Sequence, residues 1–289
     1  MLTVRAPAKL NPVLEVLGRR DDGYHEIKSI LQSVSLFDEL SLEESRRIEF
    51  TCSVKELETR DNLAFKAAVA LKEASGHKGG ARIHLEKKIP RGMGLGGGSS
   101  DAAAVLKGLN GLWSLGLPEQ RLAEIGAGIG SDVPYFIFGG TCVAGGRGEK
   151  VTPLADAERE WFVILVPGIE VRGGKTGRLY GLLESRNFTD GRYVKQALAD
   201  LNRSKRIEPG HLYNVFEGVS SRAFTGLEAF SRALAEAGAR HVHLAGSGPA
   251  LYAPAHDEKE ALHIRDRLAE VGIHVMAAST LSRSEIAER

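Results

Sequence analysis

The segment Pro90-Arg91-Gly92-Met93-Gly94-Leu95-Gly96-Gly97-Gly98-Ser99-Ser100-Asp101 runs straight into the apolar Ala102-Ala103-Ala104-Val105-Leu106. Glycines this dense, opening onto a helix, let several backbone N–H groups point at one spot. With the positive end of the helix they make an anion site suited to phosphate. Ser99 and Ser100 are placed to cap that helix, or to reach a phosphate or its metal. A flexible surface turn would explain the glycines, but a linker does not need an alanine-rich helix docked behind it. Two better-known phosphate loops are set aside. Gly92-x-Gly94-x-x-Gly97 satisfies the dinucleotide fingerprint, which also wants a second strand ending in an acidic residue about 20 positions on. Here that region is Leu117-Pro118-Glu119-Gln120, a turn opening a helix. Gly174-Lys175-Thr176 follows an apolar run as a Walker loop should, yet the glycine that loop requires falls on Ile169.

Other polar residues stand in turns or interrupt apolar runs. Ala8-Lys9-Leu10-Asn11 sets a cation and an amide in a β region. Lys9 is either an exposed strand lysine or a cation that neutralises developing charge or activates a hydroxyl. Asp132, in Gly130-Ser131-Asp132-Val133-Pro134, is either a base for a substrate alcohol or, like Ser131, a cap of a short helix with Pro134 in its first turn. Tyr24 and His25 offer an aromatic face and a titratable ring, or simply end a hairpin. Gly246-Ser247-Gly248-Pro249 is a plain hairpin or a second wall of the phosphate site.

The elements that must position these residues follow from patterning. Apolar and alternating runs predict strands at 3–7, 13–17, 27–36, 40–44 and 48–52, with a turn at Asp22-Gly23. Asp61-Asn62 caps a helix through 74, ended by Gly76. A strand at 81–89, helices at 99–113 and 118–126, and strands at 141–144 and 161–166 come next. Helices at 193–201, 211–223 and 227–237 follow, then strands at 241–245 and 250–253, a helix at 257–271 and a strand at 273–277. Helix, strand, glycine turn, strand, helix, strand is the split βαβ order of ferredoxin-like domains. The polar stretch 155–160 marks a boundary between two α+β domains, 1–155 and 156–289, and clefts between domains are common ligand sites.

The chain has 289 residues, 43% of them hydrophobic and 26% charged, which suits two globular domains. A formal net charge of +1 gives no reason to expect a nucleic acid or an anionic membrane as partner. Cys52 and Cys142 form no metal spacing and suit a reducing compartment. With no signal-peptide architecture and no apolar run near the roughly 20 residues of a bilayer span, the expected location is the cytoplasm.

The order of the motifs adds what no single one carries. Ala8-Lys9-Leu10-Asn11, Asp22-Gly23-Tyr24-His25-Glu26, Gly94 through Ala104, Gly130-Ser131-Asp132-Val133-Pro134-Tyr135-Phe136 and Gly246-Ser247-Gly248-Pro249 together resemble the GHMP kinase superfamily over nearly the whole chain. The long glycine run and the Tyr-His pair resemble its branch acting on a methylerythritol linked to cytidine diphosphate. The resemblance implies an α+β fold, with a first domain like domain 2 of ribosomal protein S5 and a ferredoxin-like second. It implies ATP and Mg²⁺ as cofactors, a small-molecule partner, and phosphorylation of the alcohol's 2-hydroxyl in non-mevalonate isoprenoid synthesis. Residues 90–100 match the ATP phosphate loop, and Asn62 falls where the adenine pocket is lined. Lys9 and Asp132 match the catalytic pair. Asn11 and His25 match substrate-holding positions, with His25 at the cytosine edge and Tyr24 stacked on its face. Thr176 and Tyr180 match a Thr-x-x-x-aromatic element, making Tyr180 a second stacking partner. Arg172, Lys175 and Arg178 lie in the same neighbourhood. Pro12, Ala245 and Val215 depart from the family pattern, affecting strand pairing and contacts in the second domain. A sister kinase for homoserine, mevalonate or a sugar, and an inactive nucleotide sensor, are the alternatives.

Overall fold

β1 (Leu2–Arg19) and β2 (His25–Ser45) run antiparallel on either side of the Asp21-Asp22-Gly23 turn. The computed structural model describes residues 1–171 and 173–287, so Arg172 lies outside the described residues. Sequence patterning breaks each of these strands in two, because Lys9-Leu10-Asn11-Pro12 and Phe37-Asp38-Glu39 interrupt the apolar runs. In the structure both continue, and the interruptions become irregularities in the ladder. The register slips between Pro7 and Ala8 and between Leu10 and Val13. Pro12, which has no N–H to give, sits inside the second slip.

The first half continues with β3 (Glu49–Cys52), α1 (Leu63–Ser75), β4 (Gly80–Glu86), α2 (Gly97–Leu112), α3 (Glu119–Ala127), α4 (Val133–Phe138), β5 (Thr141–Gly146) and β6 (Lys150–Pro153). After an unpaired stretch come β7 (Trp161–Val166), α5 (Lys175–Leu182), α6 (Arg192–Ser204), β8 (Tyr213–Asn214), α7 (Glu217–Ala223) and α8 (Leu227–Glu236). β9 (His243–Leu244), β10 (Leu251–Ala255), α9 (Glu258–Glu270), β11 (His274–Ser279) and α10 (Arg283–Ala287) complete the described chain.

The architecture is α+β, as expected. One sheet has the order β3-β4-β2-β1-β8, with β5 on the other part of β2 and β6 beside β5. The second sheet, β11-β7-β10-β9, is antiparallel throughout and has the ferredoxin-like strand order. The helix expected over 211–223 begins only at Glu217. Before it, Tyr213 and Asn214 pair in parallel with Val13 and Leu14 of β1. The Asn214 side chain donates to the Leu244 and Gly246 carbonyls and accepts from Phe216 N–H, so these residues form a buried joint rather than a helical turn.

Helices α1 to α4 cover the first sheet through a core that includes Leu42, Leu71, Ile83, Leu106 and Tyr135. A second core lies under α7 to α9. A third joins the two halves: Ala8 and Leu10 of β1 and Leu95 of the glycine loop meet Phe162, Ile164 and Tyr252 of the second sheet. Because side chains alternate along a strand, Lys9 and Asn11 turn away from this seam and into the cleft beside it. Among the described residues no helix is long and apolar enough to cross a membrane. Cys52 and Cys142 are both buried thiols.

Candidate active site

The glycine loop is built by close approach. Gly92, Gly94 and Gly96 have φ of 70°, 87° and 76°. A Cβ on Gly94 would lie 1.9 Å from the Ala245 carbonyl oxygen, and one on Gly96 would lie 2.7 Å from Phe136 Cζ. No larger residue fits either place. Lys9 N–H donates to the Leu95 carbonyl at 3.0 Å and Ala250 N–H to Met93 at 3.3 Å, which pins the loop between the two sheets. Gly96 heads α2 with no side-chain cap. Ser99 and Ser100 therefore lie inside the first turn and do not cap it: the helix starts two residues earlier than the sequence suggests. Ser99 reaches the cleft wall, while Ser100 is buried beneath it with an unpartnered hydroxyl. The N–H groups at the head of α2 have neither intrahelical partners nor a side-chain cap, which is what an anion site needs.

Beneath the loop lies a cluster the sequence reading missed. Lys87 Nζ donates to Asp38 and, at 2.8 Å, to Asp101 Oδ2. Asp38 Oδ1 also accepts from the backbone N–H groups of Lys88 and Ile89 at 2.6 and 2.8 Å. The three side chains are at most 5% exposed. Burial, with the Asp38 charge close by, raises the Asp101 carboxyl to about 8 despite Lys87. Asp101 Oδ1 has no partner. The sequence signal was a charged residue leading directly into buried alanines.

At the rim, Lys9 is 4% exposed, so it is not a surface lysine. Its Nζ donates to Asn11 Oδ1 at 2.6 Å and lies 3.9 Å from Asp132 Oδ2. Asn11 in turn donates to Ser29 Oγ at 2.9 Å, which fixes its amide. Burial lowers the Lys9 pKa more than Asp132 raises it. Asp132 precedes α4, but its side chain makes no capping bond. Its carboxylate is half-exposed at the mouth of the cleft instead. Lys175 Nζ donates to the Ser247 carbonyl at 3.4 Å, and Thr176 Oγ1 lies 3.1 Å from Ser247 Oγ. Burial, with Lys9 nearby, lowers Lys175 to about 7.

The far end of the cleft is aromatic. His25 stacks on Tyr180 with centroids 4.8 Å apart, and Phe188 and Phe216 set their edges against the pair. Burial and the charge of Arg19 lower the His25 pKa, which favours the neutral ring. Its Nε2 is buried without a partner. Tyr24 is 54% exposed, and the Arg147 guanidinium lies 4.6 Å from its ring centre, covering one face. Arg147 was not picked out in the sequence; it comes from the tight turn between β5 and β6. Asn62 caps α1, accepting from Ala64 N–H and donating to the Leu57 carbonyl.

One cleft of about 1330 Å³ gathers Lys9, Asn11, Tyr24, His25, Asn62, residues 90–99, Asp132, Thr176 and Tyr180. Of the residues assigned from the sequence to the catalytic pair, the phosphate loop and the substrate, Ser100 lies behind the wall, and Arg178 is not among the lining residues. Lys87, Asp101, Arg147, Lys175 and Ser247 also line it.

The profile of the GHMP kinases N terminal domain matches residues 62–140, and that of the GHMP kinases C terminal domain matches residues 193–274. The chain is 42% identical over 281 residues to a 4-diphosphocytidyl-2-C-methyl-D-erythritol kinase of Dehalococcoides mccartyi, covering 97% of this chain and 99% of the relative. It is similar to a crystal structure of 4-(cytidine 5'-diphospho)-2C-methyl-D-erythritol kinase, with a TM-score of 0.83 and 34% identity over 96% of this chain and 99% of that one. A homoserine kinase from Cytophaga hutchinsonii shares the fold at a TM-score of 0.72 and 18% identity, over 97% and 95% of the two chains. This chain, with its glycine loop, buried lysine and facing aspartate in one cleft, belongs to the GHMP kinase family.

Proposed function

We infer that this chain transfers the γ-phosphoryl group of ATP to the 2-hydroxyl of 4-diphosphocytidyl-2-C-methyl-D-erythritol. The observation that carries the reading is the union in one cleft of the Lys9–Asp132 pair, 3.9 Å apart, with the aromatic group around His25. The first suits phosphoryl transfer to an alcohol, and the second suits a nucleobase. Full-length identity of 42% to a kinase named for this substrate supports it.

In this reading Asn62 and its neighbours on the cleft wall take the adenine, and the loop 90–100 wraps the phosphates. The first-turn N–H groups of α2 receive phosphate charge. Asp132 accepts the hydroxyl proton, and Lys9, held by Asn11, stabilises the oxygen as it becomes anionic. The neutral, unpartnered Nε2 of His25 meets the cytosine edge. Tyr24, whose second face is open, stacks on the ring, with Tyr180 beside it and Thr176 at the substrate's approach. The oxygen donors at the mouth, Ser99 and Asp132, fit a Mg²⁺ arriving on the nucleotide phosphates, since that ion takes few ligands from a protein in such sites. Bound there, it neutralises charge on the phosphate oxygens. The chain divides near residue 155, with the phosphate loop and catalytic pair in the first part.

An ADP-release assay with Mg-ATP tests this directly. Turnover is expected with the cytidine-diphospho alcohol and not with mevalonate or homoserine. Turnover with either of those instead overturns the substrate, and ATP binding without any turnover overturns the activity.

A further inference from the structure

Lys175 has no part in the chemistry just described, yet its side chain is turned into the cleft. It opens α5, directly after Gly174 in the left-handed conformation. Its Nζ is held over the 246–248 turn by the Ser247 carbonyl, and the Thr176 hydroxyl contacts Ser247 Oγ, tying the head of α5 to that turn. The turn itself packs against the phosphate loop: a Cβ on Gly246 would lie 2.7 Å from Lys9 Nζ and 2.9 Å from the Gly94 carbonyl oxygen. Lys175, Lys9 and the glycine loop therefore converge on one place.

Among the described residues, the charge that acts on Lys175 does not answer its own. Lys9 on β1, Asp132 at the head of α4, Arg91 in the glycine loop and Arg147 between β5 and β6 line the cleft, with the rings of His25 and Tyr180. Glu170, ahead of α5, and Arg178, one turn along it, are exposed. The field that acts on Lys175 is that of Lys9, and it repels. An amine buried beside a second cation holds its charge poorly, until an anion arrives.

We propose, on the reading given above, that Lys175 is a second phosphate-binding cation of this cleft, which gains a proton as it forms an ion pair with a bound phosphate oxygen. That oxygen belongs either to the terminal phosphate of the nucleotide or to the diphosphate of the alcohol substrate. In both cases the amine becomes an ammonium with a proton drawn from solvent, so ligand binding is coupled to proton uptake. A lysine that serves only to hold the 246–248 turn would give no such coupling.

Calorimetric titration of the full chain at pH 8, in two buffers of different ionisation enthalpy, reads the proton directly. One arm uses Mg²⁺ with a non-hydrolysable ATP analogue, the other CDP. A group titrating at about 7 is about nine-tenths uncharged at that pH, so uptake of close to one proton per ligand is expected in one arm. The same arm shows affinity falling about fivefold between pH 7 and pH 8. Lys175→Arg, which is always charged, keeps the affinity but loses both the uptake and the pH slope. Lys175→Met loses the uptake and about tenfold or more in affinity. Uptake in the ATP-analogue arm assigns Lys175 to the nucleotide, and uptake in the CDP arm assigns it to the acceptor. Uptake that is absent from both arms, or unchanged in both variants, overturns the proposal. A chain that shows Lys175-dependent uptake with the ATP analogue but does not phosphorylate the cytidine-diphospho alcohol loses the substrate reading and keeps this one.

Discussion

Under the glycine loop one buried lysine meets two carboxylates, while at its rim, among the described residues, Lys9 faces one and Lys175 meets only the charge of Lys9. Lys87 lies between Asp38 and Asp101, almost wholly buried, and its pKa is raised by them. Among the described residues Lys9 has the half-exposed Asp132 at 3.9 Å and Lys175 has the repelling charge of Lys9, and burial lowers them both. The residue type is the same in all three places and the consequence is opposite. A buried cation answered by the protein's own carboxylates holds elements together, here β2, the end of β4 and the head of α2. A buried cation whose charge the protein offsets weakly or not at all is an affinity for anions, and the rim holds two of them where phosphates would lie.

Removing the carboxylate that faces Lys9 should give the largest effect. Asp132→Asn lowers kcat by about 10²–10⁴ with little change in either KM, read by single-turnover kinetics. A near-normal kcat removes Asp132 as the base. Next is the floor: Lys87→Met leaves two carboxylates buried against each other, and urea unfolding should show a loss of about 3–5 kcal/mol. The rim counterpart sharpens the contrast. Lys9→Met lowers kcat by about 10²–10³, yet it unfolds at the same or higher urea concentration, since burial costs the Lys9 charge more than Asp132 returns. Equal destabilisation by Lys87→Met and Lys9→Met would break the comparison.

The smallest effect belongs to Asp101→Asn. The Asp101 carboxyl is raised from 3.8 to about 8, so the folded chain holds a proton that the unfolded chain has released. That contribution is complete below 3.8 and is lost as pH rises through about 8. Wild-type stability should therefore fall across that window, and Asp101→Asn should flatten the fall. A slope unchanged in the variant would show that the floor carries no shared proton.

What could be read from the sequence was local. The glycine loop was legible because Gly94 and Gly96 answer constraints within a few residues, and the helix behind it announces itself by its alanines. The ferredoxin-like order was legible from the periodicity after residue 227. Lys9 and Asp132 each stood open between two readings, because the 3.9 Å between them exists only once β1 and α4 are packed. The floor was invisible for the same reason: Asp38 reads as an ordinary strand-interrupting charge until Lys87 comes to lie against it. β1 and β2 were cut short because their polar residues line a cleft, so alternation failed to mark them as strand. Tyr213-Asn214-Val215-Phe216 looked helical by composition, and only the partners of the Asn214 side chain, Leu244 and Gly246, make it a strand and a turn.

The pairing of β1 with β8 also sets an order of events during synthesis. Lys9 and Asn11 leave the ribosome well before Tyr213, which belongs to the strand that pairs with theirs. The turn that closes over Lys9 and Gly94 comes later still, at 246–248. A nascent chain that has produced the glycine loop, Lys9 and Asp132 thus holds every group proposed for the transfer step with its mouth unfinished. Sequence-distant contacts of this kind form slowly. Catalytic competence waits for the turn at 246–248, and a cut upstream of β8 would disable the cleft rather than trim it.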